Sequence, residues 1–136
     1  MRKWPVLFLY AFFHAAVFIS AADFAAGMKL LQDDEYRKAR WLFSEYTVKY
    51  SSDSRGWNNL GFCCFKEDDF EEALKNYARA ILLNPSYATV HNNAGIACLK
   101  LKNYAGAKEY FEKAVLLKPG YSRAWINLGL VYLKLK

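Results

Sequence analysis

The sequence predicts an all-α solenoid of antiparallel helix pairs, and three observations carry that prediction. The first is a 34-residue period. Trp57, Leu60, Gly61, Cys64, Ala73, Tyr77, Ala80 and Pro85 return 34 positions later as His91, Ala94, Gly95, Cys98, Ala107, Phe111, Ala114 and Pro119. One more step gives Trp125, Leu128, Gly129 and Tyr132, and one step back gives Asp23, Ala26, Gly27, Leu30, Ala39, Phe43, Tyr46 and Ser51. The second is glycine: four of the seven (Gly27, Gly61, Gly95, Gly129) fall on a single repeat position. The third is that apolar residues within each unit recur three and four apart, the spacing of one helix face. A unit of this size cannot bury its apolar face alone, so units must stack.

The elements follow in order. Residues 1–22 carry Arg2 and Lys3, then an apolar run broken only by His14, then Ser20, Ala21 and Ala22. This is the pattern of a secretory signal peptide cleaved after Ala22. An uncleaved membrane anchor through residues 4–22 is the alternative, and a structural capping helix the third. Either of the first two places the repeats outside the cytoplasm, periplasmic or secreted if cleaved and membrane-anchored if not. Residues 23–53 form repeat 1, the weakest match, with Tyr46 in place of alanine and Ser51 in place of proline. A wider or tilted junction with the next repeat is expected there.

Residues 54–87 form repeat 2. Ser54 is the candidate cap of its first helix, Glu67-Asp68-Asp69 its turn, and Pro85 its end, because proline cannot continue a helix. Residues 88–121 copy it as repeat 3. Residues 122–136 supply only a first helix, either of an incomplete repeat 4 or as a cap. Ile126, Leu128, Leu130, Val131, Tyr132, Leu133 and Leu135 leave that segment little polar surface, so continuation into a longer array or self-association is expected.

Composition narrows the function. With 54% hydrophobic and 18% aromatic residues the chain is not disordered. Net charge is +6, and the bases gather late. From Ile96 onward Lys100, Lys102, Lys108, Lys113, Lys118, Arg123, Lys134 and Lys136 face only Glu109 and Glu112. Such a gradient steers acidic partners. The lysines are dispersed with no interleaved aromatic platform, so nucleic acid is not expected. Cys63, Cys64 and Cys98 lack metal-ligand spacing. Equivalent positions on neighbouring helices lie about 8–10 Å apart, beyond the ~7 Å that a disulfide spans. Free, buried thiols are expected, with a disulfide or an intermolecular bridge, open to an exported protein, as the alternative. No phosphate-binding loop, zinc-protease motif or nucleophile elbow is present. No catalytic residue, metal or cofactor is therefore expected, and a binding module is favoured over an enzyme.

The unit resembles the tetratricopeptide repeat, whose signature W-x2-L-G-x2-Y, A-x3-F, P reads here Trp57, Leu60, Gly61, Cys64, Ala73, Tyr77 and Pro85, with Cys64 and Tyr77 replacing the family's aromatics. The resemblance covers three and a half repeats from about residue 20. It implies a right-handed superhelix whose first helices line a concave groove for a peptide or helix. Three sets of residues map to that groove. Asn59, Asn93 and Asn127 form a ladder suited to a peptide main chain. Lys66, Lys100 and Lys134, with Arg55 and Arg123 at the other helix ends, suit an acidic partner. Met28, Leu31, Phe62, Phe65, Ile96, Leu99, Leu130 and Leu133 make an apolar stripe, which is either core in part or, where exposed, suited to an amphipathic helix, a second copy of the chain or a further C-terminal helix. The family's carboxylate clamp is not reproduced, because Phe24 and Met28 stand where a lysine and an asparagine are needed. The expected role is a protein-interaction scaffold or adaptor. The alternative is a structural or oligomerisation unit of a larger cell-envelope complex.

Overall fold

The computed structural model describes residues 20–136, so the expected leader lies almost wholly outside the described residues. Seven helices follow: α1 Ala21–Gln32, α2 Tyr36–Lys49, α3 Ser54–Lys66, α4 Phe70–Leu83, α5 Ala88–Lys100, α6 Tyr104–Leu117 and α7 Ser122–Lys134. No strand occurs among the described residues. The period holds to the residue, since α3, α5 and α7 occupy the same 13 repeat positions and α2, α4 and α6 the same 14. Each helix packs on the next in sequence. The result is the expected solenoid of antiparallel pairs.

Local chemistry sets the boundaries. The helix–helix turns place Asp34, Asp68 and Lys102 in the left-handed region (φ 59, 61 and 58°). Aspartate tolerates that conformation better than most residues, which accounts for two of the three. Asp69 and Asn103 cap α4 and α6 by accepting from the backbone N–H groups of Glu72 and Gly106. The cap of α3 is Asp53 rather than Ser54, which is the first helical residue. Asp53 accepts from the Arg55 N–H at 2.9 Å, the Arg55 guanidinium at 2.7 Å and the Tyr46 hydroxyl at 2.8 Å. The Arg55 guanidinium, foremost among these, pushes its carboxyl down to about 2. At the other end α1 begins at Ala21, capped by Ser20 and Asp23 in a reciprocal box. The helix thus starts two residues before the expected repeat boundary.

Each pair is closed by a large side chain seated on a bare backbone. A Cβ on Gly27, Gly61 or Gly95 would lie 2.7, 2.8 or 2.6 Å from the ring of Phe43, Tyr77 or Phe111. Those three rings are buried, with Ala39, Ala73 and Ala107 beside them. Burying one such ring stabilises by about 1.5–3 kcal/mol. The three cysteines are free and buried in the same core. Burial pushes the Cys63 thiol up to about 12 and Cys64 up to about 11, so neither offers a thiolate near neutrality.

The first junction reaches its packing by a route of its own. Tyr46 is buried and its ring packs where a Cβ on Gly56 would lie, 2.7 Å away. The equivalent pairs at the later junctions are Ala80 with Val90 and Ala114 with Ala124. The acidic turns also serve the stacking. Arg40 of repeat 1 binds Glu67 at 3.1 Å and Asp69 at 3.0 Å across the junction.

Candidate functional site: the concave groove

The first helices of successive repeats lie side by side, and the period sets one row of each set of side chains along them. Between α3, α5 and α7 runs a groove of about 530 Å³, lined by Phe62, Thr89, Asn92, Asn93, Ile96, Tyr121, Arg123, Ile126 and Asn127. It gathers one expected member of the apolar row from each of α3 and α5, two rungs of the asparagine ladder, and one arginine.

The ladder asparagines are partly engaged with each other's neighbours. Asn93 Nδ2 donates to Asn58 Oδ1 at 3.2 Å, and Asn127 Nδ2 donates to Asn92 Oδ1 at 3.0 Å. Asn59 has no asparagine to reach on α1, where Phe24 holds that position, and its Nδ2 lies 3.2 Å from Met28 Sδ. Each amide has two N–H donors and an oxygen, so Asn93 and Asn127 retain one N–H and Oδ1 toward the groove. Asn58 and Asn92 thus orient the ladder from beneath, with Asn92 only 3% exposed. The doublets Asn58-Asn59 and Asn92-Asn93 were the available signal for this, and the sequence reading used only the second member of each.

The expected apolar stripe divides in two. Phe62 and Ile96 line the groove, Phe62 with its ring centroid 6.3 Å from that of Tyr36. Phe65 turns toward its own repeat, 5.3 Å from Phe70, while Leu31 and Leu99 pack half-buried against the core. Leu130 and Leu133 are exposed on α7, and Met28 is exposed on α1. Ile126 joins the groove where the earlier repeats have Asn58 and Asn92. Thr89, Tyr121 and Ile126 were missed by a reading confined to repeated residue types.

The cations separate in the same way. Arg55 is paired with Asp53 and lies 5.0 Å over the Phe24 ring. Lys66 sits over Tyr36 at 4.8 Å and Lys100 over Phe70 at 5.9 Å, contacts that leave the charge uncompensated. Among the described residues Lys66, Lys100, Arg123 and Lys134 form no ion pair with any acid. Of these four cations, Arg123 is the one that lines the groove. No group of His, Cys, Asp and Glu able to hold a metal occurs among the described residues.

Comparison with known proteins places the fold. Two family models, both described as tetratricopeptide repeat, match residues 54–87 and 88–121. No curated protein matches the chain in sequence. Among solved structures, the second such domain of human RPAP3, in complex with an HSP70 peptide, superposes with a TM-score of 0.80 at 24% identity, over 84% of this chain and 95% of that one. The Yersinia enterocolitica type III secretion chaperone SycD, in complex with a peptide of the translocator YopD, gives 0.81 at 19% identity, over 88% and 99%. MamA gives 0.78 at 26% identity, over 79% of this chain and 63% of that one.

Proposed function

The chain belongs to the tetratricopeptide repeat family, and on that premise we propose that it is a protein-interaction scaffold that takes an acidic, partly apolar peptide segment into its concave groove. The observation that carries the reading is the groove itself. Phe62, Ile96 and Ile126 offer an apolar floor, Asn93 and Asn127 offer amides to a main chain, and Arg123 stands at the edge without an acidic partner. An incoming carboxylate would meet a cation already free of ion pairs, so no existing bridge has to break. Peptides bound to the RPAP3 domain and to SycD support a peptide as the class of ligand. The role is binding rather than catalysis. Export rests on Arg2, Lys3 and the apolar run that follows, and determining the N-terminus of the protein isolated from an exporting cell tests it.

Titration of the full chain against fluorescent peptides graded in acidic and apolar content tests the groove. Binding should rise with both properties. Arg123→Glu should weaken it by about tenfold or more, in line with ~1.5–3 kcal/mol for a charged hydrogen bond. The double change Phe62→Asp with Ile96→Asp should abolish it while circular dichroism stays helical. Undiminished affinity in both variants sinks the proposal.

A second reading, an oligomerisation unit, is favoured by α7. Trp125 and Leu133 there are 51% and 66% exposed, and Gly129 has no neighbour within 4 Å of a would-be Cβ. Light scattering coupled to size exclusion should then find a dimer that Trp125→Glu plus Leu133→Glu returns to monomer. A monomer at every concentration excludes it.

A further inference from the structure

In each of the last three repeats one ring nitrogen is tied to the backbone six residues upstream. Trp57 Nε1 donates to the Ser51 carbonyl at 2.9 Å, and Trp125 Nε1 to the Pro119 carbonyl at 2.8 Å. Between them His91 holds the same position, with Nε2 2.9 Å from the Pro85 carbonyl. A carbonyl only accepts, so Nε2 carries the proton and Nδ1 is the bare nitrogen of a neutral imidazole. An indole has nothing that corresponds to Nδ1. Here that nitrogen is buried without a partner, the single such side-chain nitrogen or oxygen among the described residues. His91 as a whole is 6% exposed.

The surroundings disfavour a cation at that place. Arg79 lies over the Trp57 ring at 5.8 Å, an attraction between a cation and an electron-rich face. Its counterpart one repeat on is Lys113, which acts on His91 from α6. Tyr110, also on α6, stands with its ring centroid 6.3 Å from the imidazole. Lys113 is the one charged group acting on His91 among the described residues, and the loop after α4 contributes the Pro85 carbonyl. Among the described residues no carboxylate is bonded to Nδ1 to receive a second ring N–H.

We propose that His91 is a proton-operated latch on the third repeat: protonation of Nδ1 loosens α5 from α6 and from the preceding loop, and with them the part of the groove formed by Asn92, Asn93 and Ile96. Burial, foremost, together with Lys113 holds the imidazole below its ordinary value near 6.5, against the opposing pull of the Pro85 carbonyl. The sign follows from linkage. Because the folded state binds this proton more weakly, the unfolded chain takes up more protons as pH drops through about 6.5. The stability contribution is full above that value and falls below it until the depressed folded value is passed.

Nitrogen-15 NMR of the imidazoles in the full chain, with His14→Gln to assign the only other histidine, reads the titration directly. The expected result is an Nε2–H tautomer and a midpoint below the ordinary one. Amide exchange in α5 and α6, corrected for intrinsic rates, should accelerate about tenfold relative to α2 from about pH 7 to about pH 5. That relative change should vanish in His91→Trp, the residue the flanking repeats use, and in His91→Phe in case tryptophan overfills the site. A midpoint at or above the ordinary value, or an exchange profile shared by the wild type and both variants, overturns the proposal. If neither variant folds, the wild-type midpoint decides alone.

Discussion

Leucine in place of Gly95 should destabilise the third repeat, whereas alanine in place of Gly129 should stabilise the fourth, although the two glycines share one repeat position. At Gly95 a Cβ would stand 2.6 Å from Phe111 Cε1 and 2.8 Å from Cδ1. The Phe111 ring is fully buried, in an interior packed densely enough to resist its displacement, so α5 and α6 are pushed apart. Overpacking of this kind costs about 1–3 kcal/mol, and occasionally more. Gly61→Leu should behave alike, since Tyr77 lies at 2.8 Å and the Ala73 carbonyl at 3.1 Å. At Gly129 nothing lies within 4 Å. There the change only removes the conformational freedom of a mid-helix glycine, worth about 0.5–1 kcal/mol toward stability. Urea unfolding followed by circular dichroism separates the cases. Equal shifts at both positions would show that the rings do not act through the bare backbone.

That contrast also shows what a sequence of this kind discloses. The 34-residue register and the core were legible because close packing leaves few residue types acceptable at Gly61, Ala73, Tyr77 and Ala80. A repeated constraint then prints itself several times. The groove was legible only as a face. Which asparagine looks outward depends on a partner one repeat away, as Asn93 depends on Asn58, and no count along one helix gives that. The apolar stripe divided for the same reason: Phe62 and Phe65 are three apart on one helix, yet Phe65 meets Phe70 while Phe62 faces the groove. Arg55 was assigned to a ligand because its residue type suits one. Asp53, which holds it, lies just outside the helix and off every diagnostic position.

The substitution that most weakened repeat 1 as a match should prove to be half of a compensated pair. Tyr46→Ala should cost about 3–5 kcal/mol, the range for deleting a buried aromatic ring, because the 5%-exposed ring also packs on Phe24 and Tyr50 with centroids 5.1 and 4.7 Å away. Gly56→Val should cost about 1–3 kcal/mol by overpacking, since its Cβ would meet Tyr46 at 2.7 Å and Thr47 at 3.2 Å. Combined, the two changes recreate the alanine and valine of the next junction, Ala80 and Val90. The valine then fills part of the space the ring vacates, so the double variant should be less destabilised than the sum of the singles by about 1–3 kcal/mol, as contacting residues commonly are. Full recovery is not expected, because the Tyr46 hydroxyl also serves Asp53, the cap of α3. A double-mutant cycle in urea measures the coupling. Strict additivity would mean that Gly56 and Tyr46 arrived independently, leaving the departure of repeat 1 from its own pattern without a structural counterweight.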